Sequence, residues 1–179
     1  MTPAPEGIAA LPLGLERDRH VHTRRHTPWV RRGAVVVMVV FIALALANIF
    51  GQVSDVSTVD SPAAALRVDS PTRLRGGLIF TSVITVVVHQ KLQDAKLVLS
   101  PGWFDGMTLN AQAPQSNQQD SDAGGTSFDF GSLDAGSTMP VWISWQTNPT
   151  TVGRRSTDVT LEDGDKVVAS VHRSVYVFP

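Results

Sequence analysis

Hydrophobic residues fall along this chain in two different patterns. Between Arg32 and Asp55 no residue carries a charge, and from Ala34 to Phe50 nearly every side chain is Val, Ile, Leu, Ala, Met or Phe. Apolar residues cover every face of a helix drawn through this stretch, whereas a core helix keeps a polar stripe at a period near 3.6. The run of Val35, Val36, Val37, Val39 and Val40 has strand-like composition, but the apolar stretch is longer than an ordinary strand. As a helix, residues 33–51 rise about 28 Å, close to the hydrocarbon thickness of a bilayer. They are expected to form a transmembrane helix.

Past residue 65 the apolar runs become short and are separated by turn-forming clusters. Segments 66–69 and 73–75 flank Pro71, which predicts a first strand broken at a sheet edge, where a missing N–H is tolerated. Residues 78–90, LIFTSVITVVVHQ, are rich in Val, Ile, Thr and Phe and predict a central strand. Further strands are expected at 95–99, 107–110, 127–130, 140–147, 156–161 and 167–178. Alternation places Val141, Ile143 and Trp145 toward a core, leaving Trp142 outside or under a loop. Asp163-Gly164 between the last two runs suits the positive φ angles of a tight hairpin. Short strands with no helix after the span predict a mainly β chain: an immunoglobulin-like antiparallel β-sandwich preceded by one transmembrane α-helix. The cysteine pair of antibody domains is absent, so the expectation concerns architecture alone.

The remaining segments complete the expected organisation. Residues 1–32 have Pro and Gly spaced too closely for a stable element at their start and read as a disordered basic tail. Residues 52–65, QVSDVSTVDSPAAA, are small, polar and without period, and are expected to be a tether to the outer domain at 66–179.

Charge sets the orientation. Residues 1–32 hold six Arg against Glu6, Glu16 and Asp18, a net of +3, while 52–179 hold nine basic and thirteen acidic residues, a net of −4. Arginines beside a span are retained in the cytoplasm, so the amino terminus is expected inside and the large domain outside. Trp29, Arg31 and Arg32 would meet lipid headgroups, and Asn48, a lone amide near the outer end, could bond another helix. The competing reading is a signal peptide cleaved after Ala45-Leu46-Ala47, an A-x-A pattern, which would release a secreted domain. Against it stand a long leader and the apolar Ile49 and Phe50 that follow. Nothing in the charge pattern suggests nucleic acid.

Candidate chemistry is sparse. With no cysteine, disulfides, a thiol nucleophile and thiolate metal sites are excluded, and an outer domain of this size must rest on its own core. His89 and His172 are the histidines of the outer domain; with Ser and Asp plentiful they permit an extracytoplasmic hydrolase, yet no G-x-S-x-G turn exists. Asp120 and Asp122 before Gly124-Gly125, or Glu162, Asp163 and Asp165, offer oxygen ligands without the spacing of a calcium loop. His20, His22 and His26 sit among arginines, where positive charge opposes a metal. No cofactor or metal is expected, and the chain is read as having no catalytic activity. The candidate contact residues are Trp103 and Phe104 in SPGWFDGM, Trp142, and the paired Arg154 and Arg155 of QTNPTTVGRR. Trp103 and Phe104 have a second reading, in which they fold back and plug one end of the sandwich.

The runs KLVLSPGWFDGMTLNAQAP and FDFGSLDAGSTMPVWISWQTNPTTVGRRSTDVTLEDGD, with the terminal SVYVFP, resemble small single-pass proteins of high-GC Gram-positive bacteria whose outer part is immunoglobulin-like. The resemblance spans most of residues 66–179. It implies a fold and a topology, and supplies no activity and no site residue. Sequence thus points to a membrane-anchored binding or adaptor module facing the exterior and presenting its sandwich loops, whose partners are the bilayer and another membrane protein or an envelope component.

Overall fold

The computed structural model describes residues 27–47 and 51–179. The chain divides into two compact units, residues 1–47 and 48–179. In the first, α1 (Thr27–Leu46) is a continuous helix. Its residues Pro28–Leu46 have a mean hydropathy of 2.1, and none of them is buried. The helix begins earlier than the expected span, because Pro28 in the first turn has no N–H to leave unpaired and a φ already suited to a helix. Trp29 is exposed, and the Arg32 guanidinium stands 5.9 Å from its ring centroid, a cation–π contact that adds to the arginine-rich end of the helix. Asn48 and the expected outer end of the span lie outside the described residues.

The second unit is a two-sheet sandwich. In chain order its strands are β1 (Val53–Asp60), β2 (Ala64–Arg75), β3 (Ile79–Val88), β4 (Leu92–Leu99), β5 (Met107–Ala113) and β6 (Gln118–Asp122). Then follow β7 (Gly125–Leu133), β8 (Thr138–Thr147), β9 (Gly153–Ser156), β10 (Val159–Asp163), β11 (Lys166–Val171) and β12 (Ser174–Phe178). One sheet runs β5-β8-β3-β2-β12-β9 with β1 added on β2, and the other runs β11-β10-β4-β7-β6. Pairing is antiparallel except for β12 beside β2, where Tyr176–Phe178 run parallel to Arg73–Arg75. Period-2 side chains of both sheets meet in the middle: Leu66, Val68, Ile84, Val86, Leu97, Leu99, Phe128, Val141, Ile143 and Trp145 are all buried, and Trp142 faces outward as expected.

Two expectations about the start of the domain are corrected. Residues 52–65 are not a tether: β1 pairs with β2 from Asp60 opposite Ala65 to Val53 opposite Arg73. Its valines at 53, 56 and 59 are spaced by three and exposed, so a strand held by its backbone ladder left no hydrophobic period to read. The first predicted strand is also neither broken nor at an edge. β2 continues through Pro71, which stands opposite Ser54 at the end of the β1 ladder where the register shifts, while of its other partners β3 stops pairing at Asp69 and β12 starts at Arg73.

The last two predicted runs are corrected as well, each being two strands. β9 and β12 pair in the larger sheet, β10 and β11 in the smaller, and the chain crosses between sheets at Thr157-Asp158 and again at His172-Arg173. Alternation does not break at the second corner. Ala169, Val171, Arg173, Val175 and Val177 are all buried, so an arginine takes an inward place in an otherwise apolar series. The predicted hairpin is present, with Asp163 opposite Lys166 and Gly164 at φ 62°.

Candidate functional site

Both corners and the loop after β4 converge at one place. After Ser100, Pro101 opens a 3-10 turn in which the Trp103 and Phe104 amides donate to the Ser100 and Pro101 carbonyls, each at 3.0 Å. The turn lies so close to β9 that a Cβ on Gly102 would stand 1.8 Å from the Ser156 carbonyl oxygen, which makes glycine obligatory there. Trp103 is driven inward. Its ring stacks on Trp145 at 5.0 Å between centroids, its Nε1–H donates to the Asp158 carbonyl at 3.1 Å, and only 1 % of the residue is exposed. Trp103 therefore takes the plugging role and has no surface to offer a partner, which corrects its reading as a contact residue. Phe104 meets Trp145 edge to face at 5.4 Å and stays half-buried. The Trp145 Nε1–H, sealed beneath this aromatic cluster, has no hydrogen-bond partner.

Neighbouring residues on β9 point to opposite sides, so the paired arginines separate. Arg155 reaches Asp105 in the turn, Nε to Oδ2 at 2.7 Å, while Arg154 donates from Nε to the Ser174 hydroxyl of β12 at 3.0 Å. Two open clefts result. One, of about 460 Å³, lies between the turn and the β6–β7 hairpin and is lined by Phe104, Asp105, Gln119, Ser121 and Asp122 among others. The other, of about 480 Å³, is lined by Arg154, Ser156, His172, Arg173 and Ser174.

Arg173 is the residue that pattern reading missed. Its guanidinium donates to the carbonyls of Val68, Ser70 and Asp55, and its backbone N–H to Asp158 Oδ1 at 2.8 Å. These carbonyls belong to β2 next to Pro71 and to β1, so the side chain ties the two strands together beside the proline. Burial pulls its pKa below the ordinary arginine value, and the negative charges of Asp55 and Asp69 push it back up. Only its place in the inward series 169–177 could have signalled it.

Ser156, Asp158 and His172, the groups a hydrolase would need, stand together beside the second cleft. Ser156 donates its hydroxyl to Asp158 Oδ2 at 2.8 Å, and His172 Nδ1 lies 3.6 Å from that same oxygen. A triad needs the serine bonded to the imidazole, which then abstracts its proton; here both groups address the carboxylate. His89, just past the end of β3, pairs through Nε2 with Asp60 at 2.9 Å at the surface. The acidic loops serve as turn caps: Asp122 Oδ1 accepts from the Gly124 and Gly125 amides, and Asp163 Oδ1 from those of Gln93 and Asp94. Among the described residues no cluster of three or more His, Asp or Glu is placed to hold a metal. Of the expected contact residues, Phe104 and Arg155 are brought together through Asp105, Arg154 lines the second cleft, and Trp142 stands mid-strand on the outer face of the larger sheet.

No protein-family model and no curated protein matches the sequence. Solved structures do. The sandwich is distantly similar to cohesin modules. The solution structure of CaCohA2 from Clostridium acetobutylicum is 14 % identical, overlapping 66 % of this chain and 92 % of its own with a TM-score of 0.46. A non-cellulosomal cohesin from the hyperthermophilic archaeon Archaeoglobus fulgidus is 10 % identical over 60 % of this chain and 86 % of its own, at 0.40. A family 123 glycoside hydrolase from Clostridium perfringens is 13 % identical over 59 % of this chain and 22 % of its own, at 0.39.

Proposed function

We propose that this chain is a membrane-anchored binding module without catalytic activity. The apolar part of α1 from residue 33 onward stays in the bilayer uncut, residues 1–32 lie on the cytoplasmic side, and the sandwich faces the exterior, presenting its surface to a membrane protein or an envelope component. The observation that carries the reading is the helix itself: Pro28–Leu46 has a mean hydropathy of 2.1, and past Arg32 it holds no charged or strongly polar side chain on any face. A helix of that length and composition suits hydrocarbon as its solvent. Retention over cleavage is favoured by the long leader and by the apolar Ile49 and Phe50 that follow Ala45-Leu46-Ala47.

The contact reading rests on the outer face of the larger sheet. Trp142 is 48 % exposed, and the register places Val83 beside it, then Asp69, then Val56, a row crossing four strands. Exposed tryptophan with flanking aliphatics is the composition of interface anchors. Serine and histidine both turned to Asp158, rather than to one another, support a binding role over hydrolysis. A photo-crosslinking phenylalanine analogue at position 142 of the intact protein in native membranes tests this. A discrete crosslinked species is expected, while the same analogue at exposed Thr150 gives none. Equal, diffuse crosslinking at the two positions would contradict the reading.

A further inference from the structure

The cleft between the 3-10 turn and the β6–β7 hairpin has a floor and a rim of different chemistry. Its floor is apolar: Pro101 and the Phe104 ring, the latter held in place by its edge-to-face contact with Trp145, which is itself braced by Trp103. A platform fixed in this way loses little side-chain freedom when something stacks on it.

The rim is polar and mixed. Asp122 is oriented by the two glycine amides on Oδ1, which leaves Oδ2 open, and Asp105 stands in an ion pair with Arg155 through Oδ2. The Ser121 and Thr126 hydroxyls lie 3.0 Å apart, so one proton of the pair is spent between them and the other remains to be donated. Gln119 is exposed and brings both a donor and an acceptor. The rim thus offers donors as well as acceptors beside an aromatic floor.

We infer that this cleft binds a neutral oligosaccharide, with Phe104 under the apolar C–H face of a sugar ring and Asp122, Gln119 and the Ser121–Thr126 pair on its hydroxyls. Hydroxyl groups are donor and acceptor at once, which matches a mixed rim. A cationic side chain would call for acceptors alone, and the Asp105 charge is already matched by Arg155. An anionic ligand would face two carboxylates. The volume of about 460 Å³ suits a small ligand, and the open form suits a polymer passing across it. The inference requires only the sandwich, whether or not α1 remains in a bilayer, so it stands apart from the anchoring proposal.

The test is calorimetry of the full-length chain in lipid nanodiscs against maltotetraose, cellotetraose and chitotetraose, with tetralysine as the cationic competitor class. At least one tetrasaccharide is expected to bind. Phe104→Leu, which keeps apolar bulk but removes the ring, and Gln119→Ala, on an exposed strand, are each expected to weaken that sugar about tenfold or more; one aromatic stacking contact or hydrogen bond lost on this scale is ~1.4 kcal/mol. Unaltered circular dichroism of both variants keeps folding out of the comparison. Binding of tetralysine with no sugar bound would overturn the inference, as would silence from all four probes, or sugar binding that neither substitution changes.

Discussion

Arg173 shows how much a single inward charge can organise. Burial disfavours its charged form, so holding it inside costs folding energy at neutral pH, and the three carbonyl bonds must more than offset that cost. Arg173→Leu strands those carbonyls beside Pro71, and hydrogen bonds from a charged donor contribute roughly 1.5–3 kcal/mol each, so a loss of about 3 kcal/mol or more is expected in urea unfolding. Arg173→Lys should recover less than half of it, because an ammonium lacks the planar fork that reaches both strands. Unchanged midpoints for both variants would remove the role assigned here. The role was not legible beforehand: the acceptors lie 103 to 118 residues earlier in the chain, and no local pattern reports such a partner. Trp103 and Phe104 were legible as an aromatic pair, but only the fold distinguishes the ring that is sealed from the one that lines a cleft.

Among the elements, legibility follows burial. β3 and β8 bury alternate residues and are plain in the sequence, and the Asp163-Gly164 hairpin is announced by its turn chemistry. β6 is exposed along its whole length and β1 nearly so; both are held by backbone bonds that any sequence can make, so neither gives a periodic signal. The corners within 156–161 and 167–178 are hidden for the opposite reason, since the inward series runs through them unbroken. A strand with so little buried should open on its own. Native-state hydrogen exchange is expected to find β1 amides at least tenfold less protected than those of β3, which has a partner on each side. Equal protection of the two would mean that β1 belongs to the cooperative core.

At the scale of the whole molecule, the near-neutral total hides a basic amino-terminal stretch and a mildly acidic sandwich on either side of the uncharged residues 33–51. The helix and the two-sheet architecture were both readable, the first from unbroken apolarity and the second from the succession of short strands. The parallel pairing of β12 with β2 was not, because it joins the two ends of the domain. The absence of cysteine provides a clean background for topology: Ser132→Cys, exposed on β7, and Thr23→Cys, ahead of α1, each place one thiol in the chain. A membrane-impermeant maleimide applied to intact cells should label Ser132→Cys at once and Thr23→Cys only after permeabilisation, both on a chain of full-length mass. Labelling in the reverse order, or a Ser132→Cys product shortened by the leader and helix, would contradict the anchored, outward-facing arrangement.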